Sequence, residues 1–227
     1  MLKFVVLFAA VMAAAASAEE TSRALPVPQQ DLPASDGLQT AVLAGGCFWG
    51  MQGVFQHVKG VRVVTAGYSG GAASTARYNA VEGGNTGHAE AVRVTFDPHQ
   101  VSYGRLLQIY FSVMDPTTLN RQGPDQGPQY RSEVFAQEPR QQQIAAAYIA
   151  QLGAAHVFGG PIVTRVSLQR GFYPAEDWHQ DYLLKHPDAP YIVYNDLPKL
   201  EKLQALYPAI YRSRPVSGTG IDHSNQE

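Results

Sequence analysis

The order of elements legible along the chain, β-α-β-β-α-β, predicts an α+β fold: a two-layer sandwich with a ferredoxin-like core and helices packed against a sheet. Two observations carry this expectation. Short strand-like runs and longer helix-period runs interleave, yet the order does not force a parallel sheet. Two long segments rich in glycine, proline and polar residues, 68–86 and 117–131, interrupt them. Loops of that length inside a compact domain are often functional. The chain has 227 residues and is 45% apolar, enough for one sizeable core, and no linker divides its middle.

Each element follows from local pattern. Residues 38–45 form an apolar run that reads as a buried strand, and two glycines end it. Residues 48–58 have helical spacing, closed by Gly60. Residues 61–66 are rich in β-branched side chains and read as the second strand. Residues 90–96 alternate apolar and polar, a third strand that ends at Asp97-Pro98. Residues 103–114 have helical spacing and stop before Asp115-Pro116. Residues 133–136 read as a short strand, and 139–152 as a helix with Pro139 in its first turn and Gly153 beyond its end. A strand over 162–168 and helices over 175–186 and 198–206 complete the fold.

The ends are expected to lie outside the core. Residues 1–18 read as a signal peptide: Lys3, an apolar stretch over 4–15 too short to span a bilayer, then Ala16-Ser17-Ala18. Cleavage there would start the mature chain at Glu19 and place the protein in the periplasm or outside the cell. Residues 19–37 carry Pro26, Pro28 and Pro33 and read as a flexible leader. Residues 38–211 read as the one folded domain, and 212–227 as a disordered polar tail. The net charge of −2 gives no strong field for nucleic acid or for an anionic membrane. After signal cleavage the chain is expected to be a monomer free of the membrane.

The chain holds one cysteine, Cys47, in Gly45-Gly46-Cys47-Phe48-Trp49-Gly50. The thiol sits at a strand-to-helix turn, where unpaired N–H groups and the helix dipole favour the thiolate, the nucleophilic form. Export usually permits disulfides, but one cysteine forms none within the chain. Two further blocks carry chemistry: Gly87-His88-Ala89-Glu90-Ala91-Val92, preceded by Tyr78-Asn79-Ala80-Val81, and Asp125-Gln126-Gly127-Pro128-Gln129-Tyr130-Arg131-Ser132. Together the three blocks resemble the A-type peptide methionine sulfoxide reductases, and the resemblance runs from about residue 40 to about residue 211.

That resemblance implies a mixed sheet with long irregular segments around the site. It implies that the chain reduces the S epimer of methionine sulfoxide, free and protein-bound. Cys47 would attack the sulfoxide sulfur and end as a sulfenic acid. Reduction also demands an acid for the departing oxygen, and a carboxylic acid serves at neutral pH only if its surroundings raise its pKa. Glu90 takes that role by resemblance. Tyr78 and Tyr130 would hold the sulfoxide oxygen through their hydroxyls. Asp125 would orient the water and substrate network, and Phe48 and Trp49 would form the pocket for the ε-methyl group.

Many members of the family resolve the sulfenic acid with C-terminal cysteines. This chain has none after Cys47, so regeneration falls to an external thiol, glutathione or a thioredoxin-like protein, and no bound cofactor is expected. Other readings remain open on the sequence. Cys47 with a histidine base such as His88 or His179 would suit a cysteine hydrolase or acyltransferase. A degenerate member would bind oxidised methionine without turnover. His88-Ala89-Glu90 also fits half of a zinc deaminase motif, but the cysteine ligands it needs are missing, and no His-Glu-x-x-His pair exists, so no metal is expected.

Overall fold

A computed structural model describes residues 24–218; the signal-peptide reading of residues 1–18 lies outside them. Eight strands and six α-helices follow in chain order: β1 (Gln39–Gly45), α1 (Phe48–Gln56), β2 (Val61–Ser69), α2 (Tyr78–Val81), β3 (Ala89–Phe96), α3 (Tyr103–Val113), β4 (Arg121–Gln122), β5 (Asp125–Gln126), β6 (Ser132–Ala136), α4 (Pro139–Ala154), β7 (Arg165–Leu168), β8 (Phe172–Pro174), α5 (Tyr182–Lys185) and α6 (Leu197–Leu206). Six of the strands make one sheet in the order β7-β6-β1-β3-β2-β8. Its inner four, β6-β1-β3-β2, are antiparallel throughout and carry the ferredoxin-like order. The sheet is mixed because β7 joins β6 in parallel through the α4 crossover, while β8 adds antiparallel to β2.

Strand alternation decides which side chains enter the core. On β3, Val92, Val94 and Phe96 face the main cluster beneath the helices, whereas Ala89 and Ala91 belong to a small cluster on the opposite face with Val42, Ala44 and Phe135. Glu90 shares the parity of Val92 and Val94, so the strand that builds the core also carries a carboxyl group into it. Tyr68 of β2 is its cross-strand neighbour. α1 is buried along nearly its whole length, Phe48, Met51, Val54 and Phe55 all facing the main cluster.

The structure corrects several boundaries. The glycine-rich segment after β2 is not loop throughout: β2 runs on to Ser69, and a 3-10 turn (Ala73–Thr75) and α2 follow. The second long segment folds into the β4–β5 hairpin and a 3-10 turn over Pro128–Tyr130. The strand expected over 162–168 starts at Arg165, because Val163 N–H is drawn to the Pro116 carbonyl instead of to a strand.

The helix expected over 175–186 is absent as one element. Gln180 donates to the Ala66 and Ala175 carbonyls and accepts from Ala66 N–H, which anchors it to the β2 edge. Asp181 takes a left-handed φ of 60° and accepts from Gln56 Nε2. These bonds break the segment into a 3-10 turn over Asp177–His179 and the short α5.

The leader, over its described part, is docked and not free. Leu25 and Leu32 pack on the core. Tyr148 donates its hydroxyl to the Pro26 carbonyl at 2.8 Å, and Gln151 donates to the Val27 carbonyl at 2.9 Å. Asp31 accepts Gly104 N–H at 2.7 Å while Ser102, the N-cap of α3, accepts Arg105 N–H at 3.2 Å. Two of the free amides at the start of α3 are thereby satisfied. The described start of the tail is likewise held, with Arg212 N–H on the His57 carbonyl and Val216 N–H on the Gln56 carbonyl.

Candidate active site

The site forms where the C-terminal end of β1 meets the start of α1. Gly46 has φ of 84°, a turn that favours glycine, and a Cβ there would lie 2.5 Å from the Gln122 side chain. The turn leaves Cys47 as the N-cap of α1, with its side chain 7% exposed. Glu90 Oε2 accepts the Phe48 N–H at 3.0 Å, so the carboxyl group from β3 reaches the first amide of the helix that carries the thiol.

Burial dominates the electrostatics of both groups. Glu90 is pushed up to about 8 by desolvation, which outweighs the Phe48 amide, and the charges of Asp125 and Asp196 add to the shift. Glu90 therefore holds its proton at neutral pH. The Cys47 thiol is also pushed up, first by burial and then by the neighbouring Glu90 (to the extent that it is ionised) and Asp196; the Trp49 amide and Lys199 act against this. The expectation that the helix end favours the thiolate is thus not met in the free protein, because desolvation costs more than the dipole returns.

The fold gathers the remaining sequence candidates around the same point. Tyr78 is the first residue of α2 and Tyr130 the last of its 3-10 turn. Both phenols feel the charges of Glu90 and Cys47, and both hold their protons more tightly than usual, chiefly through burial. They remain donors at any physiological pH. Asp125 on β5 accepts the Tyr191 hydroxyl. Trp49 is half-buried, stacked on Tyr182 at 3.8 Å between ring centroids, with Tyr191 edge-on at 5.8 Å. Phe48 is fully buried between Tyr68 and His179 and backs this wall.

Three further groups enter the site: Tyr191 and Asp196, which lie outside the sequence blocks, and Arg131, which lies in the third block without an assigned role. Tyr191 lies at the start of a π-helical turn (Ile192–Asp196), an element often found at functional sites. Asp196 is fully buried and ion-paired to Lys199 at 2.9 Å. Arg131, buried and paired with Glu133, donates to the carbonyls of Gly87, His88 and Pro128. It thereby fixes the approaches to Glu90 and to Tyr130 from behind the sheet.

Neither candidate histidine base has a free lone pair. His88 Nδ1 accepts Gly71 N–H at 3.2 Å, which leaves the Nε2 proton for the Ala72 carbonyl at 2.9 Å. His179 Nδ1 accepts the Trp49 indole N–H at 3.0 Å, and burial pushes its pKa down to about 4, so it stays neutral. A neutral imidazole has one acceptor nitrogen, and in both rings it is taken. Among the described residues no three His, Cys, Asp or Glu side chains converge as metal ligands.

A thiol served by a protonated carboxyl group and phenols, with neither candidate histidine free to act as base, defines an enzyme of sulfur redox chemistry and not of acyl transfer. The chain belongs to the peptide methionine sulfoxide reductase family, whose model matches residues 39–209. It is 56% identical over 187 residues to peptide methionine sulfoxide reductase MsrA 2 of Mesorhizobium japonicum, covering 82% of this chain and 96% of that one. It is 51% identical over 191 residues to the MsrA 2 of Synechocystis sp., covering 82% and 89%. Among solved structures, reduced Mxr1 from Saccharomyces cerevisiae superposes with a TM-score of 0.63 at 30% identity, over 71% of this chain and 92% of that one. Methionine sulfoxide reductase A of Corynebacterium diphtheriae gives 0.60 at 33% identity, over 74% and 88%.

Proposed function

We propose that this protein reduces methionine-S-sulfoxide, in proteins and as the free amino acid, with Cys47 as nucleophile and Glu90 as acid. One observation carries the assignment of roles: Glu90, protonated at neutral pH, is bonded to the first amide of the helix capped by Cys47. An acid and a nucleophile thus share one end of one helix, and a sulfoxide needs both at adjacent atoms.

In the reaction, Cys47 sulfur attacks the sulfoxide sulfur and an S–S bond forms. The oxygen takes the Glu90 proton and the thiol proton and leaves as water. A sulfonium on Cys47 and a Glu90 carboxylate remain. Water then attacks Cys47 sulfur, methionine departs with the bonding pair, and the released proton returns to Glu90. Cys47 is left as a sulfenic acid. An external thiol attacks it, water leaves, and a second thiol releases Cys47 as a thiol and the reductant as a disulfide. Glutathione or a thioredoxin-like protein fits this step.

Tyr78 and Tyr130 hold the sulfoxide oxygen, Asp125 orients the network through Tyr191, and Trp49 with Phe48 receives the ε-methyl group. The catalyst acts as a monomer, without bound metal or cofactor and without nucleic acid or membrane partners. The pattern of residues 1–18 supports export to the periplasm or beyond. Turnover of the separated S and R epimers with a small dithiol tests the reading. Methionine should form from the S epimer, and equal rates on both would contradict the assigned pocket.

A further inference from the structure

The C-terminal segment places a second buried carboxyl group beside the thiol. Asp196 closes the π-helical turn, is fully buried, and bonds Lys199 Nζ through Oδ1 at 2.9 Å, while Oδ2 has no partner. It rests on the backbone of α1 at Gly50, one turn from Cys47. A Cβ on Gly50 would lie 2.1 Å from Asp196 Oδ1, so the carboxylate occupies the space that any other residue would fill. A buried, half-satisfied carboxylate is costly, and its presence at this spot asks for a role.

The groups that face Cys47 come from every element around it. Glu90 comes from β3, and Tyr78 and Tyr130 from the two site segments. Tyr191 with Asp125, and Asp196 with Lys199, come from the hairpin and the C-terminal segment. With Glu90 protonated and the phenols neutral, Asp196 supplies the buried negative charge beside the thiol: burial pushes its own pKa up, and the ion pair to Lys199 at 2.9 Å holds it ionised. Resting on the reductase reading above, we propose that Asp196 is a positioning residue for that chemistry: seated on Gly50 and held by Lys199, it keeps Cys47 a thiol in the resting enzyme. The thiolate is the form that oxidants attack, and this chain has no second cysteine to capture an adventitious sulfenic acid before it is oxidised further.

Alkylation of the sole cysteine by iodoacetamide as a function of pH tests this without methionine sulfoxide, so its outcome is separate from that of the reductase assignment. Asp196→Asn, nearly isosteric, should lower the alkylation midpoint by about one pH unit and speed alkylation at pH 7 about tenfold. Inactivation by hydrogen peroxide should accelerate in parallel. Gly50→Ala should push the carboxylate away and move the midpoint in the same direction, and Lys199→Arg should leave it in place. An unchanged or raised midpoint in folded Asp196→Asn overturns the proposal. If that variant does not fold, an unchanged or raised midpoint in Gly50→Ala overturns it instead.

Discussion

Glu90 and Phe48 are 42 positions apart in sequence, yet the Glu90 carboxyl accepts the Phe48 amide at 3.0 Å. This one bond joins the middle of the sheet to the start of the helix that presents Cys47. It places a proton donor and a nucleophile in one frame, and the expected behaviour of the enzyme follows largely from it.

Replacement of the nucleophile is the simplest consequence. Cys47→Ser should abolish methionine formation, since a hydroxyl scarcely ionises near neutral pH. The change is nearly isosteric, so the thermal unfolding midpoint should stay close to that of the wild type. Turnover near the wild-type rate would remove Cys47 from the mechanism.

Loss of the acid should be partial. Glu90→Gln keeps a carbonyl acceptor for Phe48 N–H but has no proton to give, and general acid catalysis is typically worth ~10²–10⁴-fold. A single-turnover rate lowered within that range is expected. The wild type should lose activity as pH rises through about 8, where Glu90 loses its proton, and the variant should lack that limb.

The same group predicts a stability profile. Folding raises Glu90 from 4.5 to about 8, so between these values the folded state keeps a proton that the unfolded chain has released. Native stability therefore falls as pH rises across that window. Glu90→Gln has no such linkage. Its denaturation midpoint, relative to wild type, should improve between pH 5 and pH 9. A constant difference would show that Glu90 is not protonated in the folded protein.

Much of this architecture was legible in the sequence, for identifiable reasons. The alternation over 90–96 and the helical spacing over 103–114 reflect direct burial against the core, so β3 and α3 appear within a residue or two of expectation. Cys47, Glu90 and the two tyrosines are picked out by compact local motifs. Tyr191 and Asp196 have no such motif, because they reach the thiol only after the chain returns past α5. The 175–186 helix was misread because Gln180 and Asp181 bond to β2 and α1, partners that local spacing does not reveal. The prolines of the leader suggested freedom, but the carbonyls of Leu25, Pro26 and Val27 serve as acceptors for Gln108, Tyr148 and Gln151.

The role of Tyr191 can be measured directly. Tyr191→Phe keeps the edge contact with Trp49 and removes the hydroxyl that donates to Asp125 Oδ2. A hydrogen bond to a charged group is worth about 1.5–3 kcal/mol, so turnover should drop roughly tenfold or more. Unchanged kinetics would assign the Tyr191–Asp125 bond to stability alone.

With a single cysteine, one chain should reduce one sulfoxide and then stop. The enzyme is mixed with excess methionine-S-sulfoxide and no thiol, and methionine is counted per chain. The expected result is one methionine, with a single added oxygen on Cys47 that a sulfenic-acid probe captures, and resumed turnover once a thiol is added. Two or more methionines per chain without a reductant, or an unmodified Cys47 after the burst, would contradict it.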